Sequence, residues 1–152
     1  VGRTFIKPSQ ELREQGVKMK LSAVKGVVEG KRVVMIDDSI VRGTTSRRIV
    51  KLLRIARPQR SNVLTSSPPI PHPCYYGIDT SSKGELIAAD KTVEEIREEI
   101  GADSLKYLSV EKFLEGIGRS QDLENHGQCL ACFTGQYPTE IFPETDNPSD
   151  KL

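Results

Sequence analysis

Val33-Val34-Met35-Ile36-Asp37-Asp38-Ser39-Ile40-Val41-Arg42-Gly43-Thr44-Thr45 is the stretch that decides the fold. Four apolar residues run into two adjacent carboxylates, and a Gly/Thr turn then opens an amphipathic segment. The short, β-branched run predicts a buried strand over 32–36. Acids at the carboxyl end of such a strand sit where open α/β sheets bind ligands. Paired carboxylates suit a ribose diol or a divalent cation. The amides and hydroxyls from Arg42 to Ser46 suit a phosphate at a helix N-terminus. A pentose phosphate satisfies both halves at once. Neighbouring acids after a strand also read as turn and helix-capping groups, so the pair alone does not decide between the two. A Walker loop needs Gly-x-x-x-x-Gly-Lys-Ser/Thr, which is absent, and a dinucleotide fingerprint needs three spaced glycines where this loop has only Gly43.

Outward from the loop, Thr45 or Ser46 is expected to cap a helix whose apolar stripe is Ile49, Leu52, Leu53 and Ala56, with Pro58 ending it. Residues 62–66 then predict a second parallel strand that completes a right-handed β-α-β unit. Ser67-Pro68-Pro69-Ile70-Pro71-His72-Pro73-Cys74 cannot be regular structure, because proline removes donors and fixes φ. It predicts a stiff, extended connector. Thr92 with Glu95 spells a capping box for a helix through Ile100, with Val93, Ile96 and Ile100 on one face and Gly101 past its end. A short strand is expected at 105–108. Ser109 should cap one more helix, built on Val110, Phe113, Leu114 and Ile117 and closed by Gly118. No internal repeat is visible, and the residues from 143 onward read as a polar, frayed tail.

Bulk properties narrow the function. A chain of 152 residues can hold one domain with a real core. The 22 basic and 21 acidic residues nearly cancel, leaving +1, so no nucleic-acid partner is implied. No apolar run approaches the ~20 residues that span a bilayer, and no signal peptide opens the sequence, so neither a membrane nor export is implied and the cytoplasm is expected. Tryptophan is absent, which suggests a modest core. Val1-Gly2-Arg3-Thr4-Phe5-Ile6 reads as the middle of something longer. Residues 1–31 carry many basic side chains with little periodicity. They read either as a solvated surface segment or as a mobile basic loop that folds over an anionic substrate.

Cys129-Leu130-Ala131-Cys132 is a C-x-x-C pair, and Cys74 is the third cysteine. For a cytosolic chain this spacing favours a metal site over a disulfide, with a redox pair and three ordinary thiols as the other readings.

The loop as a whole resembles the phosphoribosyl pyrophosphate (PRPP) signature of the type I phosphoribosyltransferases. The match extends well past it. Gly2 to Ile6, Glu11-Leu12-Arg13, Asp37 to Arg48, Tyr76-Gly77-Ile78-Asp79, Glu85-Leu86-Ile87-Ala88 and Ile100-Gly101-Ala102-Asp103 resemble the amidophosphoribosyltransferases, the glutamine PRPP amidotransferases that open purine biosynthesis. The resemblance covers about residues 1–142 and corresponds to the C-terminal part of a longer, two-domain protein. It implies an α/β fold, the C-terminal portion of a type I phosphoribosyltransferase with a parallel sheet and flanking helices. Residues 1–25 would be a lid loop, 32–57 the PRPP-binding strand, loop and helix, 74–132 the cluster-ligand region and 143–152 a tail, with the glutaminase domain outside this sequence.

Site roles follow from the resemblance. Asp37 and Asp38 would hold the ribose 2′- and 3′-hydroxyls or help hold Mg²⁺. Ser39, Arg42, Gly43, Thr44 and Thr45 would wrap the 5′-phosphate, with Gly43 letting the backbone approach closely. Arg3 and Lys7 would serve the lid that closes over PRPP and retains ammonia. Some members of the family carry a [4Fe–4S] cluster, and His-Pro-Cys-Tyr-Tyr-Gly-Ile-Asp and Gly-Gln-Cys-Leu-Ala-Cys-Phe-Thr-Gly look like that group. Cys74, Cys129 and Cys132 would be three of its ligands and the fourth would lie upstream. Zinc held by three cysteines and His72 or His126 is the alternative.

The parent reaction would convert glutamine, PRPP and water into 5-phosphoribosylamine, glutamate and pyrophosphate. Purine nucleotides are the expected inhibitors, and the intact enzyme is expected to be a homo-oligomer, whereas the segment alone is expected to be inactive. A non-catalytic PRPP-binding regulator with the same fold and a structural metal-binding module are the other two readings. In one place the chain departs from the family pattern. Ile55-Ala56-Arg57-Pro58-Gln59-Arg60-Ser61-Asn62 replaces the Gly-Ala step that normally precedes the second strand, so the connection is expected to be rebuilt there.

Overall fold

The hydrophobic run of the loop motif forms strand β1, Arg32–Asp37, in a computed structural model that describes residues 25–78, 80, 83–119 and 127–141. The expectations for Arg3, Lys7, the lid before Lys25, Asp79, His126 and the 143–152 tail lie outside those residues. A single helical turn, α1 at Lys25–Val28, precedes β1. Helix α2 is Thr44–Ile55 and strand β2 is Arg60–Thr65, paired parallel to β1 in the register Arg32↔Arg60 through Asp37↔Thr65. The β-α-β unit is present, with β2 beginning two residues before the 62–66 expected from sequence. Strand β3, Ser104–Lys106, joins β2 in parallel and gives the sheet order β1-β2-β3. It ends earlier than the expected 105–108, because Leu108 turns its N–H to Ser67 O at 3.3 Å and leaves the sheet for the proline connector. That connector has no regular structure, as its prolines require.

Helix α3, Val93–Ile100, carries the full capping box. Thr92 Oγ1 accepts from Glu95 N at 3.3 Å, and Glu95 Oε2 accepts from Thr92 N at 2.7 Å. Gly101 closes it at φ 77°, as expected of a left-handed C-cap. Ile96 and Ile100 are buried, but Val93 in the first turn is exposed. Helix α4, Val110–Gly116, is capped by the Ser109 hydroxyl, which accepts from Lys112 N, and buries Leu114. Phe113 on α4 meets Phe133 edge-on at 5.5 Å, and Phe133 belongs to the short helix α5, Ala131–Thr134. Among the described residues no helix is long and apolar enough to cross a membrane.

The core joins Ile40, Val50, Val63, Ile87, Ile96, Ile100, Ala102 and Leu105, with Met35, Ala88 and Tyr107 packed against it. Helix α2 packs on α3 and β2, and α3 packs on β3. Burying Ile96 and Ile100 contributes about 1.5–3 kcal/mol each, and this anchors α3 beneath the sheet. The expectation of a buried β1 is corrected. On one face Val33 and Met35 are half-buried, whereas on the other Val34 is 54% and Ile36 73% exposed, with Leu64 of β2 beside Ile36 at 37%. A strand alternates its side chains between faces, and among the described residues β1 is the outer strand of a three-stranded sheet whose core lies on one side.

The segment unlike the family pattern still forms a regular strand. Arg57 takes φ 55°, a left-handed conformation that glycine adopts at lower cost, and its carbonyl accepts from Gly30 N at 2.9 Å. Asp103 fastens the start of β2, with Oδ2 accepting from Ser61 N at 2.6 Å and Oδ1 paired with Arg54 at 3.0 Å. The Arg54 guanidinium first, and the Ser61 N–H after it, hold the Asp103 carboxyl below its ordinary range. Asn62 ties all three strands together, donating to Val33 O at 3.0 Å and accepting from Ser104 Oγ at 2.8 Å.

Candidate functional site

Asp37 ends β1 and Asp38 opens the loop, so both acids stand at the carboxyl edge of the parallel sheet, beside the β2 end at Thr65 and Ser66. Their carboxylates are already oriented. Asp37 Oδ1 accepts from Asp38 N at 3.1 Å and Oδ2 from Ser46 Oγ at 3.4 Å, while Asp38 Oδ1 accepts from Ser39 Oγ at 3.2 Å. Ser66 closes the other side, its N–H donating to Asp37 O at 3.0 Å and its hydroxyl reaching Asp37 O and Asp38 O, both at 3.4 Å. Ser46 buttresses Asp37 because it sits in the first turn of α2, which begins immediately after the loop. Ser66 was not singled out from sequence. Its place follows from the in-register pairing of β1 with β2, which brings the ends of both strands together.

Burial pushes the Asp37 carboxyl above its ordinary value and the charge of Asp38 pushes the same way, while the Asp38 N–H and the Ser46 hydroxyl oppose them. Two like charges crowded at a strand end are relieved by a divalent cation or by sugar hydroxyls that donate to them.

The expected side-chain cap on α2 is absent: Gly43 is the N-cap, at φ 72°, and neither Thr45 nor Ser46 caps the helix. Gly43 is required there on two counts. Its φ lies in the left-handed region, and a Cβ built on it would stand 2.5 Å from Ile87 Cδ1. The segment behind the loop begins with a 3₁₀ turn, Lys83–Glu85, and continues into the buried Leu86 and Ile87. It grips the loop at three points: Ile87 N donates to Val41 O at 2.9 Å, Ile87 packs on Gly43, and Glu85 Oε2 pairs with Arg42 Nη2 at 2.6 Å. Ile40 is buried in the same core as Ile87. Thus Ser39 and Arg42 stand on a loop bent round Gly43, and Thr44 and Thr45 open α2 at its end, where the first-turn N–H groups have no partner within the helix. Farther along α2, Arg47 is tied to Glu99 of α3, which also accepts from Lys91.

The cysteine region is held together by other contacts. Cys74 forms a bridge with Thr80, whose carbonyl accepts Cys74 N at 3.3 Å. His72 N donates to Cys132 O at 3.2 Å, and Tyr137 OH donates to Pro73 O at 2.8 Å. The Tyr137 ring lies 5.2 Å from that of Tyr75 and 6.4 Å from that of Tyr76. These links dock the chain carrying Cys129 and Cys132 onto the chain carrying Cys74. All three cysteines are free, and burial followed by the charges of Cys74 and Cys129 pushes the Cys132 thiol up. Among the described residues no three His, Cys, Asp or Glu side chains converge to hold a single metal ion. The His72 ring packs instead on Gly135, where a Cβ would come within 2.9 Å of it.

No family model matches the chain. Against curated proteins it is 70% identical over 151 residues to the amidophosphoribosyltransferase of Bacillus subtilis, which covers 99% of this chain and 32% of that protein. Two solved structures share its fold, each with a TM-score of 0.78. One, described as the allosteric regulatory enzyme of purine biosynthesis, is 71% identical over 95% of this chain and 31% of its own. The other is the glutamine PRPP amidotransferase of B. subtilis complexed with ADP and GMP, 70% identical over 99% of this chain and 33% of its own. The chain spans about a third of the length of the curated relatives it matches. The resemblance and the α/β fold expected from sequence are both borne out.

Proposed function

We propose that this chain is the PRPP-binding segment of an amidophosphoribosyltransferase acting in purine biosynthesis, with Asp37 and Asp38 as its ribose-binding acids and Ser39 to Thr45 as its phosphate loop. One observation carries the reading: the Asp37/Asp38 pair and the N-terminus of α2 stand at the two ends of one short loop at the carboxyl edge of a parallel sheet. The first suits the ribose diol, and the second suits a 5′-phosphate six residues further on. The 70% identity to the B. subtilis enzyme supports the same assignment.

In this reading Asp37 and Asp38 accept from the ribose 2′- and 3′-hydroxyls and fix the sugar. Ser39, Thr44 and Thr45 add hydroxyl donors around the phosphate, and Arg42 adds a positive charge. Ammonia released by the glutaminase part of the longer protein attacks C1′, the C1′–O bond breaks, and pyrophosphate leaves with the electron pair. The transition state has oxocarbenium character, so holding the sugar rigidly and keeping water out are the segment's contributions. Arg3 and Lys7 belong to the lid that provides the second of these. Alternatively the two carboxylates, which are suitable oxygen ligands, would help hold Mg²⁺, and the ion when bound would supply charge neutralisation to the leaving group. Purine nucleotides carry the same ribose phosphate and inhibit by occupying its place; the related B. subtilis structure is a complex with ADP and GMP. A cytoplasmic homo-oligomer is the expected form of the whole enzyme.

The test is product formation. The longer protein carrying this segment should form phosphoribosylamine and pyrophosphate only when PRPP is present, and the isolated segment should form none. Tight PRPP binding by the longer protein without turnover would instead establish a regulator that has kept the fold.

Cys74, Cys129 and Cys132 fit three thiolate ligands of a [4Fe–4S] cluster, with the fourth outside this chain. The support is three free thiols on two segments docked to each other by the His72 N–H to Cys132 O and Tyr137 OH to Pro73 O bonds. A cube of four irons spaces its thiolates more widely than one tetrahedral ion does, so the lack of a single-ion grouping is no obstacle. Anaerobically purified longer protein should contain about four irons per chain, and Cys132→Ser should lose them. Iron-free protein with full activity would remove the assignment.

A further inference from the structure

The segment behind the phosphate loop is the feature that the reading above leaves without a role. Arg42 is the charged residue nearest the N-cap of α2, one position before Gly43, and a long arginine side chain there has many rotamers open to it. The structure removes that freedom. Glu85, 43 residues further along the chain, takes one guanidinium nitrogen at 2.6 Å. The turn that carries Glu85 is itself fixed to the loop two residues later, where Ile87 N donates to Val41 O at 2.9 Å and Ile87 seats on Gly43. The ion pair is therefore built on a rigid frame rather than between two free surface side chains. Both partners remain accessible, Arg42 at 40% and Glu85 at 49%, so the guanidinium's remaining donors are open to a ligand.

We infer that Glu85 is a positioning residue for the anion end of this site: it holds Arg42 beside the N-terminus of α2, where the guanidinium meets the 5′-phosphate of the bound sugar. A carboxylate has two ways to act on a neighbouring arginine that also binds an anion. It can orient the cation, or it can compete with the anion for it. Here one nitrogen of a five-donor fork is used and the rest are left, which is the orienting geometry. The inference rests on the phosphate-loop reading given above, and it adds a residue from outside the loop.

A double-mutant cycle tests it, with calorimetric binding of PRPP to the longer protein that carries this segment. Arg42→Gln should weaken binding about tenfold, the size of one lost charge-assisted contact. Glu85→Gln should weaken it about three- to tenfold when Arg42 is present and have no effect in the Arg42→Gln background. Glu85→Asp should fall on the side of the loss, since a shorter arm on the same frame cannot reach. Equal losses in both backgrounds would make Glu85 a structural residue and overturn the inference. Tighter binding by Glu85→Gln would also overturn it, because it would show competition. Wild-type protein that binds no PRPP would condemn the underlying site reading instead, and a thermal melt of ligand-free Glu85→Gln that matches the wild type separates a local effect from a general loss of fold.

Discussion

Replacing Asp37 and Asp38 together by Asn should weaken PRPP binding at least tenfold while the ligand-free protein melts no lower than the wild type. The first half follows from contact energetics. Each carboxylate accepts a charge-assisted hydrogen bond from a ribose hydroxyl, a contact of about 1.5–3 kcal/mol, and tenfold corresponds to about 1.4 kcal/mol. The second half follows from Asp37's own protonation. Burial holds its carboxyl above the ordinary value of 3.8 in the folded protein. As pH rises from the unfolded to the folded pKa, the folded state holds the proton longer than the unfolded chain does, so stability falls across that window. At neutral pH the whole of that cost is present, and neutral Asn at position 37 removes it. Asn also keeps an oxygen for the Asp38 N–H, which now meets Asp37 Oδ1 at 3.1 Å. Calorimetry and thermal melting on one preparation read both halves. Unchanged affinity would remove the ribose-diol assignment. A large drop in melting temperature would make the acids structural caps, the other meaning that two aspartates after a strand can have.

How far the sequence led depends on whether a feature is local. The capping box of Thr92 and Glu95, the Gly101 stop, the Ser109 cap and the proline connector are each set by a few neighbouring residues, and each formed as expected. The acid pair at the end of β1 was equally readable, because a strand's end and the turn after it are contiguous in sequence. Longer-range features were not readable. Ser66 reaches the Asp37 carbonyl only because the strands pair in register, and Glu85 reaches Arg42 across 43 residues. The exposure of one face of β1 is a longer-range feature of the same kind. Val34 and Ile36 spell a buried strand, but their exposure depends on what lies over that face of the sheet, which the strand's own residues do not encode. The N-cap of α2 was misplaced because threonine and serine are the usual capping residues, whereas here the turn needs φ 72° at residue 43 and only glycine supplies it cheaply.

Gly43→Ala should therefore be the most damaging single change in the loop, and its cost should divide into two separable parts. An L-residue at φ 72° pays about 1–2 kcal/mol in backbone strain. The new methyl also falls 2.5 Å from Ile87 Cδ1, and overpacking of this kind costs about 1–3 kcal/mol. Cδ1 is the tip of a side chain, but Ile87 is buried among Ile40, Ile100 and the rest of the core, so it has little room to turn aside. If the loop yields instead, the Ile87 N–H to Val41 O bond is strained and the first turn of α2 moves off the phosphate. Ile87→Val removes Cδ1 alone, at a cost of its own of about 0.5–1.5 kcal/mol in the wild-type background. Gly43→Ala should lower the melting temperature and reduce PRPP affinity by more than tenfold. Adding Ile87→Val should recover part of both losses, leaving the backbone strain as the remainder. Full affinity in Gly43→Ala would show that the loop's shape is not set by this contact. No recovery in the double variant would assign the entire loss to φ at residue 43, with Ile87 a bystander to the phosphate site rather than the wall that shapes it.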